Sequence, residues 1–132
     1  MIVFVDSSVL IEHLKGKNTL YLELLKRGHE LCINAAVLSE FMYYFVGVLG
    51  DKSPLALKVS GQLPAVLSKH DAVAFLRLFS YLPDQIDFPA EVPKLMQQYN
   101  LLPNDSIILA TCRHYGIACL ATLDPDFKTP CR

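Results

Sequence analysis

Five acidic side chains stand where an acid is hard to place. Asp6 ends the apolar run "MIVFV", and Glu40 lies inside "VLSEFMYYFVGVLG". Asp105 opens "DSIILATC", and Asp124 and Asp126 follow "IACLAT" in "LDPDF". At helical spacing Asp105 shares a face with Ile108, Leu109 and Cys112. Glu40 has Ala36, Val37, Tyr43 and Tyr44 one turn to either side. A carboxylate on an apolar surface must be protonated, paired or bound to a cation.

Each acid alone has a local explanation. Asp6 has the residue type of a helix N-cap, a task Ser7 or Ser8 could share. Glu40 near a helix start favours the dipole, or hydrogen-bonds a tyrosine. Asn104 can cap the helix that follows it, which leaves Asp105 inside the first turn. Asp124 precedes a proline and is biased to extended backbone, whereas Asp126 reads as a turn residue.

Together the acids imply more. Brought to one place, they would repel one another strongly without compensation. No Lys or Arg adjoins Asp6, Glu40, Asp105 or Asp124 in sequence, so the compensator is read as a hard divalent cation. Mg²⁺ and Mn²⁺ favour such oxygen ligands. One or two ions in such a site activate water and steady a leaving oxygen in phosphodiester cleavage. His13, His29, His70 and His114 are scattered without zinc spacing.

The elements that must position these acids alternate. "MIVFV", "ELCINA" and "IACLAT" read as buried strands, and "SSVLIEHLKG" and "TLYLELLKRG" as helices ended by Gly16 and Gly28. On the second helix Leu20, Leu24 and Leu25 share a face. The helix carrying Glu40 is apolar nearly all round, which implies burial on more than one side. From Asp51 to Tyr81 the pattern gives two or three helices, the last being "HDAVAFLRLFSYL", and "QIDF" reads as a brief strand. "AEVPKLMQQYN" and "NDSIILATCRHYG" are helices joined by "LLP". Apolar strands alternating with helices predict a parallel sheet covered on both faces, within one domain spanning residues 1–132. Sites in such sheets form beyond the carboxyl ends of the strands, where Asp6 and Asp124 fall.

"VDSSVLIEHL", "LSEF", "LPNDSIILATCRHYGI" and "ATLDPDF" resemble, in order and spacing, the acidic motifs of the PIN-domain nucleases, most nearly the small VapC-like type. The resemblance covers essentially the whole chain. It implies a three-layer α/β/α sandwich with a central, mainly parallel sheet. It also implies Mg²⁺- or Mn²⁺-dependent cleavage of single-stranded RNA, leaving a 5′-phosphate and a 3′-hydroxyl, usually by the toxin of a toxin–antitoxin pair. Carried over by position, Asp6, Glu40, Asp105 and Asp124 bind the metal and are catalytic, with Asp126 as an auxiliary acid. Thr122 and Ser7 or Ser8 match hydroxyl positions near the site. Basic residues are sparse, and Lys15, Lys17 and Arg113 are the best-placed phosphate contacts. A housekeeping RNA-processing nuclease and a catalytically silent RNA- or protein-binding module are the alternatives.

Twelve basic and thirteen acidic residues give a formal net charge of −1, so nucleic acid must be held by a local patch rather than by a basic field. The longest apolar run is well short of a bilayer span, and "MIVFVDSSVLI" lacks the basic start of a signal peptide. Cys32, Cys112, Cys119 and Cys131 show no CxxC or zinc spacing, and read as reduced thiols in a cytoplasm. A Cys32–Cys119 disulfide between neighbouring strands is the alternative. The apolar surface of the Glu40 helix and the middle helices predicts a homodimer interface or an antitoxin groove.

Overall fold

The computed structural model describes residues 1–125. The order is β1 (Ile2–Val5), α1 (Ser7–Leu14), α2 (Leu20–Lys26), β2 (Glu30–Ile33), α3 (Ala35–Gly50), α4 (Pro54–Val59), α5 (Leu63–Ser68), α6 (Ala72–Leu76), β3 (Ser80–Tyr81), α7 (Phe88–Tyr99), α8 (Pro103–His114) and β4 (Cys119–Ala121). The strands form one sheet in the order β3-β2-β1-β4 with every pairing parallel. Val3, Phe4 and Val5 are successive and all buried, so β1 is covered on both faces. This is the expected α/β/α sandwich. The chain winds outward from β1 to β2 and β3, then returns to place β4 on the other side of β1. The switch point therefore lies between β1 and β4, where Asp6 and Thr122 leave their strands.

The main core joins the strands to Val9, Leu10, Val37, Phe41, Phe45 and Leu57, and Ile108 and Cys112 of α8 reach it too. Leu95 of α7 packs with Leu101, Leu109 and Ala110 in a second cluster. Gly50 ends α3 against α4 and α5, where a Cβ would meet Leu57 Cδ1 at 2.8 Å and force that side chain to shift.

Several local expectations needed correction. "HDAVAFLRLFSYL" is not one helix: α6 stops at Leu76, and Ser80 and Tyr81 pair with Cys32 and Ile33 as β3. The outer edge of β2 needs a backbone partner, and that long-range demand overrides the helical pattern. Gln85–Phe88 is no strand, because Asp87 accepts from the Ala90 N–H and caps α7. On α2 the buried pair is Tyr21 and Leu24, while Leu25 is exposed. Tyr21 lies among His13, Phe75 and Phe79, an aromatic cluster assembled from three separate helical segments and the chain before β3.

The Cys32–Cys119 alternative is excluded by strand order. β1 lies between the two strands, with Phe4 opposite Cys32 and Val3 opposite Cys119. Two strand spacings are roughly 9–10 Å, beyond the reach of a disulfide. Cys32 and Cys119 are free thiols, and Cys131 lies outside the described residues. Burial, with Glu30 nearby, pushes the Cys32 thiol above its ordinary range and makes it a poor nucleophile.

Candidate active site

Asp6 continues β1 by one residue, its N–H bonded to the Ala121 carbonyl at 2.9 Å, and its side chain turns under the start of α1. It is only 4% exposed. Oδ1 accepts from the Ser7 N–H at 2.8 Å. Oδ2 accepts from the Ser8 and Thr122 hydroxyls, each at 2.8 Å. Three short bonds from neutral donors hold the buried carboxylate, and among the described residues no lysine or arginine pairs with it. Asp6 is thus the N-cap of α1, the role its residue type predicts.

The same hydroxyls pin the segment after β4. Ser8 Oγ accepts from the Leu123 N–H, and Thr122 Oγ1 from the Asp124 N–H, both at 3.0 Å. Asp124, half-buried, is therefore fixed beside Asp6 through its backbone. Of the two candidate serines, Ser8 supplies the close hydroxyl. Ser7 supplies its N–H, and its own hydroxyl stands 3.5 Å from Oδ1.

Glu40 and Asp105 come from facing helices. Asn34, fully buried, caps α3 by accepting from the Val37 N–H at 3.1 Å. Its amide donates to Thr111 Oγ1 at 3.0 Å, which ties the start of α3 to α8. Neither residue stood out among the sequence candidates. Their signals were an Asn just before a helix and a Thr in the middle of an apolar helical face. Asn104 is not the cap of α8: the helix begins one residue earlier, at Pro103, whose fixed φ suits the first helical position. Asp105 therefore stands third in the helix, half-buried, near the positive end of its dipole. Ser39, Glu40, Tyr43, Tyr44 and Asn104 line an open cleft of about 360 Å³ between the two helices.

Among the described residues, no three His, Cys, Asp or Glu side chains stand close enough to hold one ion. Asp126 lies outside those residues. The donor set consists of carboxylates and hydroxyls, which by type fits a hard divalent cation. A carboxylate offers about four acceptor positions, three of which on Asp6 take short bonds while the fourth meets the Ser7 hydroxyl only at 3.5 Å.

The candidate cations lie elsewhere. Lys15 pairs with Glu12 at 3.9 Å, and Lys17 is exposed. Arg113 sits at the far end of α8 from Asp105, where it donates to the Tyr99 hydroxyl and lies over that ring. A larger concavity, about 440 Å³, lies away from the acids and is lined by His13, Phe41, Phe45, His70 and Phe75 among others.

A sequence model of the PIN domain matches residues 3–132. The chain belongs to the PIN-domain family. This PIN domain is 32% identical over 133 residues to ribonuclease VapC2 of Methanocaldococcus jannaschii, across 96% of its own length and 87% of the relative's. It is 33% identical over 138 residues to ribonuclease VapC6 of the same organism, covering 96% and 90% of the two chains. Among solved structures it resembles a chain described as a toxin–antitoxin complex from Klebsiella pneumoniae. The TM-score is 0.63 at 21% identity, across 96% of this chain and 91% of that one. The last likeness is one of fold.

Proposed function

We propose that this PIN domain is a metal-dependent endoribonuclease that cleaves single-stranded RNA with water, and that it serves as the toxin of a toxin–antitoxin pair. The observation that carries the reading is the buried Asp6 carboxylate at the β1–β4 switch point, held by Ser8 and Thr122. It occurs in a chain 32% identical to a ribonuclease over nearly its whole length.

Asp6, Glu40, Asp105 and Asp124 would hold Mg²⁺ or Mn²⁺, with Asp126 as an auxiliary acid. When bound, a divalent cation lowers the pKa of water and offsets charge on the leaving oxygen. The chain's own part is positional. Ser8 and Thr122 fix the Asp6 carboxylate and the backbone at Leu123 and Asp124, so these groups need no reorganisation when RNA arrives. Glu40 and Asp105 approach from α3 and α8, whose spacing the Asn34–Thr111 bond sets. No covalent protein intermediate is required.

The concavity floored by Phe41, Phe45 and Phe75 offers apolar contact to a segment of an antitoxin protein. Leu55 and Val59, exposed one turn apart on α4, suit a homodimer. The decisive test incubates purified protein with structured and unstructured RNAs in Mn²⁺ or in EDTA. Endonucleolytic cuts in unstructured RNA that require Mn²⁺ and leave 5′-phosphates are expected. Cleavage that persists in EDTA would remove the metal from the reading.

A further inference from the structure

Tyr43 and Tyr44 are the third and fourth residues after Glu40, so both rings lie on its side of α3. They are 56% and 43% exposed, on a helix that elsewhere buries Val37, Phe41, Phe45 and Val46. Their centroids are 5.5 Å apart and their planes nearly perpendicular, at 86°. Among the described residues no hydrogen bond joins either phenol to Glu40, so supporting that carboxylate does not explain them. Both rings line the cleft with Ser39, Glu40 and Asn104, and among the described residues no Lys or Arg lines it. Such a wall lacks cations to grip a phosphate backbone. It has aromatic faces on which a base can stack, with hydroxyl and amide groups to meet a base edge.

We propose that Tyr43 and Tyr44 form a base-stacking platform that seats one unpaired RNA base beside Glu40 and sets the register of the strand at the acids. The site would select single strands, because a base paired within a helix has no free face to offer. This rests on the ribonuclease reading for its purpose, but the contact can be measured without cleavage.

The chain has no tryptophan and six tyrosines, so emission comes from tyrosine, and the share of the quenching lost in the Tyr43 and Tyr44 variants assigns it to these rings. The experiment titrates full-length protein in EDTA with a short oligoadenylate and with an abasic oligomer of the same length. It is repeated on Tyr43→Ala, Tyr44→Ala and the two Phe variants, with particle mass recorded throughout. The platform requires quenching by oligoadenylate and affinity about tenfold weaker in each Ala variant. It also requires affinity retained in the Phe variants and no change toward the abasic oligomer. Undiminished binding by the Ala variants, equal losses for both oligomers, or no binding by the unaltered protein would overturn it. A drop in particle mass on Ala substitution would do so too, by assigning the rings to a second copy of the chain. If oligoadenylate binds as described while no RNA is cut in Mn²⁺, the nuclease reading fails and the platform stands.

Discussion

The two halves of the acidic region are built differently. At the β1–β4 end, Asp6 is buried and every short contact it makes is a hydrogen bond from the chain itself. At the α3–α8 end, half-buried Glu40 lines an open cleft and Asp105 is half-buried in the first turn of α8, so the two are carried by the packing of two helices. The first half is set by bonds to the carboxylate. The second also depends on how α3 and α8 pack, and these helices are tied by the bond between Asn34 and Thr111. A buried acid bonded to the start of α1 and to Thr122 thus contrasts with half-buried acids carried on two packed helices.

The largest effect that tests this contrast comes from removing one acid on each side. Asp6→Asn and Asp105→Asn should each lower Mn²⁺-dependent cleavage by about a hundredfold or more, since loss of groups merely supporting a metal site costs about 10–100-fold. Their stabilities should separate. Asp6→Asn loses charge-assisted bonds and should cost about 1–3 kcal/mol in urea unfolding. Asp105→Asn should leave stability within about 0.5 kcal/mol or raise it by relieving repulsion. Equal losses of stability would erase the distinction.

A smaller effect is expected at the tie between the helices. Asn34→Ala removes a cap and strands the buried Val37 N–H, at a cost of about 2 kcal/mol. Asn34→Ser keeps a capping oxygen but not the reach to Thr111, so it should recover about half of that loss. If Ser recovers none of the cleavage rate lost in Ala, the tie rather than the cap positions Glu40.

The smallest change is Thr122→Val, which deletes one bond to Asp6 and the acceptor for the Asp124 N–H. Supporting groups of this kind are worth about tenfold in metal affinity, so a rightward shift of the Mn²⁺ titration by about that factor is expected. A shift in maximal rate with unchanged Mn²⁺ dependence would place Thr122 at the substrate instead.

Much of the architecture was legible because it is local. Three short apolar runs separated by helical periodicities indicate parallel strands with covered faces. The acidic motifs were legible because carboxylates on apolar faces contradict their surroundings. Less legible were features made by distant partners. β3 exists because β2 has an open edge, although its own residues read as the end of a helix. Asp105 was correctly placed in a first turn, yet the cap invoked for it was wrong, because Pro103 starts the helix one residue earlier.

The sequence by itself determined the fold class, most of the elements and which carboxylates adjoin apolar segments. Those follow from periodicity and polarity, properties a residue shares with its chain neighbours. Only the tertiary structure decided that β1 separates Cys32 from Cys119, that Ser8 and Thr122 close on Asp6 from opposite ends of the chain, and that two tyrosines stand exposed beside Glu40. Each of those depends on which surfaces meet after the chain has crossed the sheet. Hydrogen bonds between residues over a hundred positions apart, as between Thr122 and Asp6, leave no period to read.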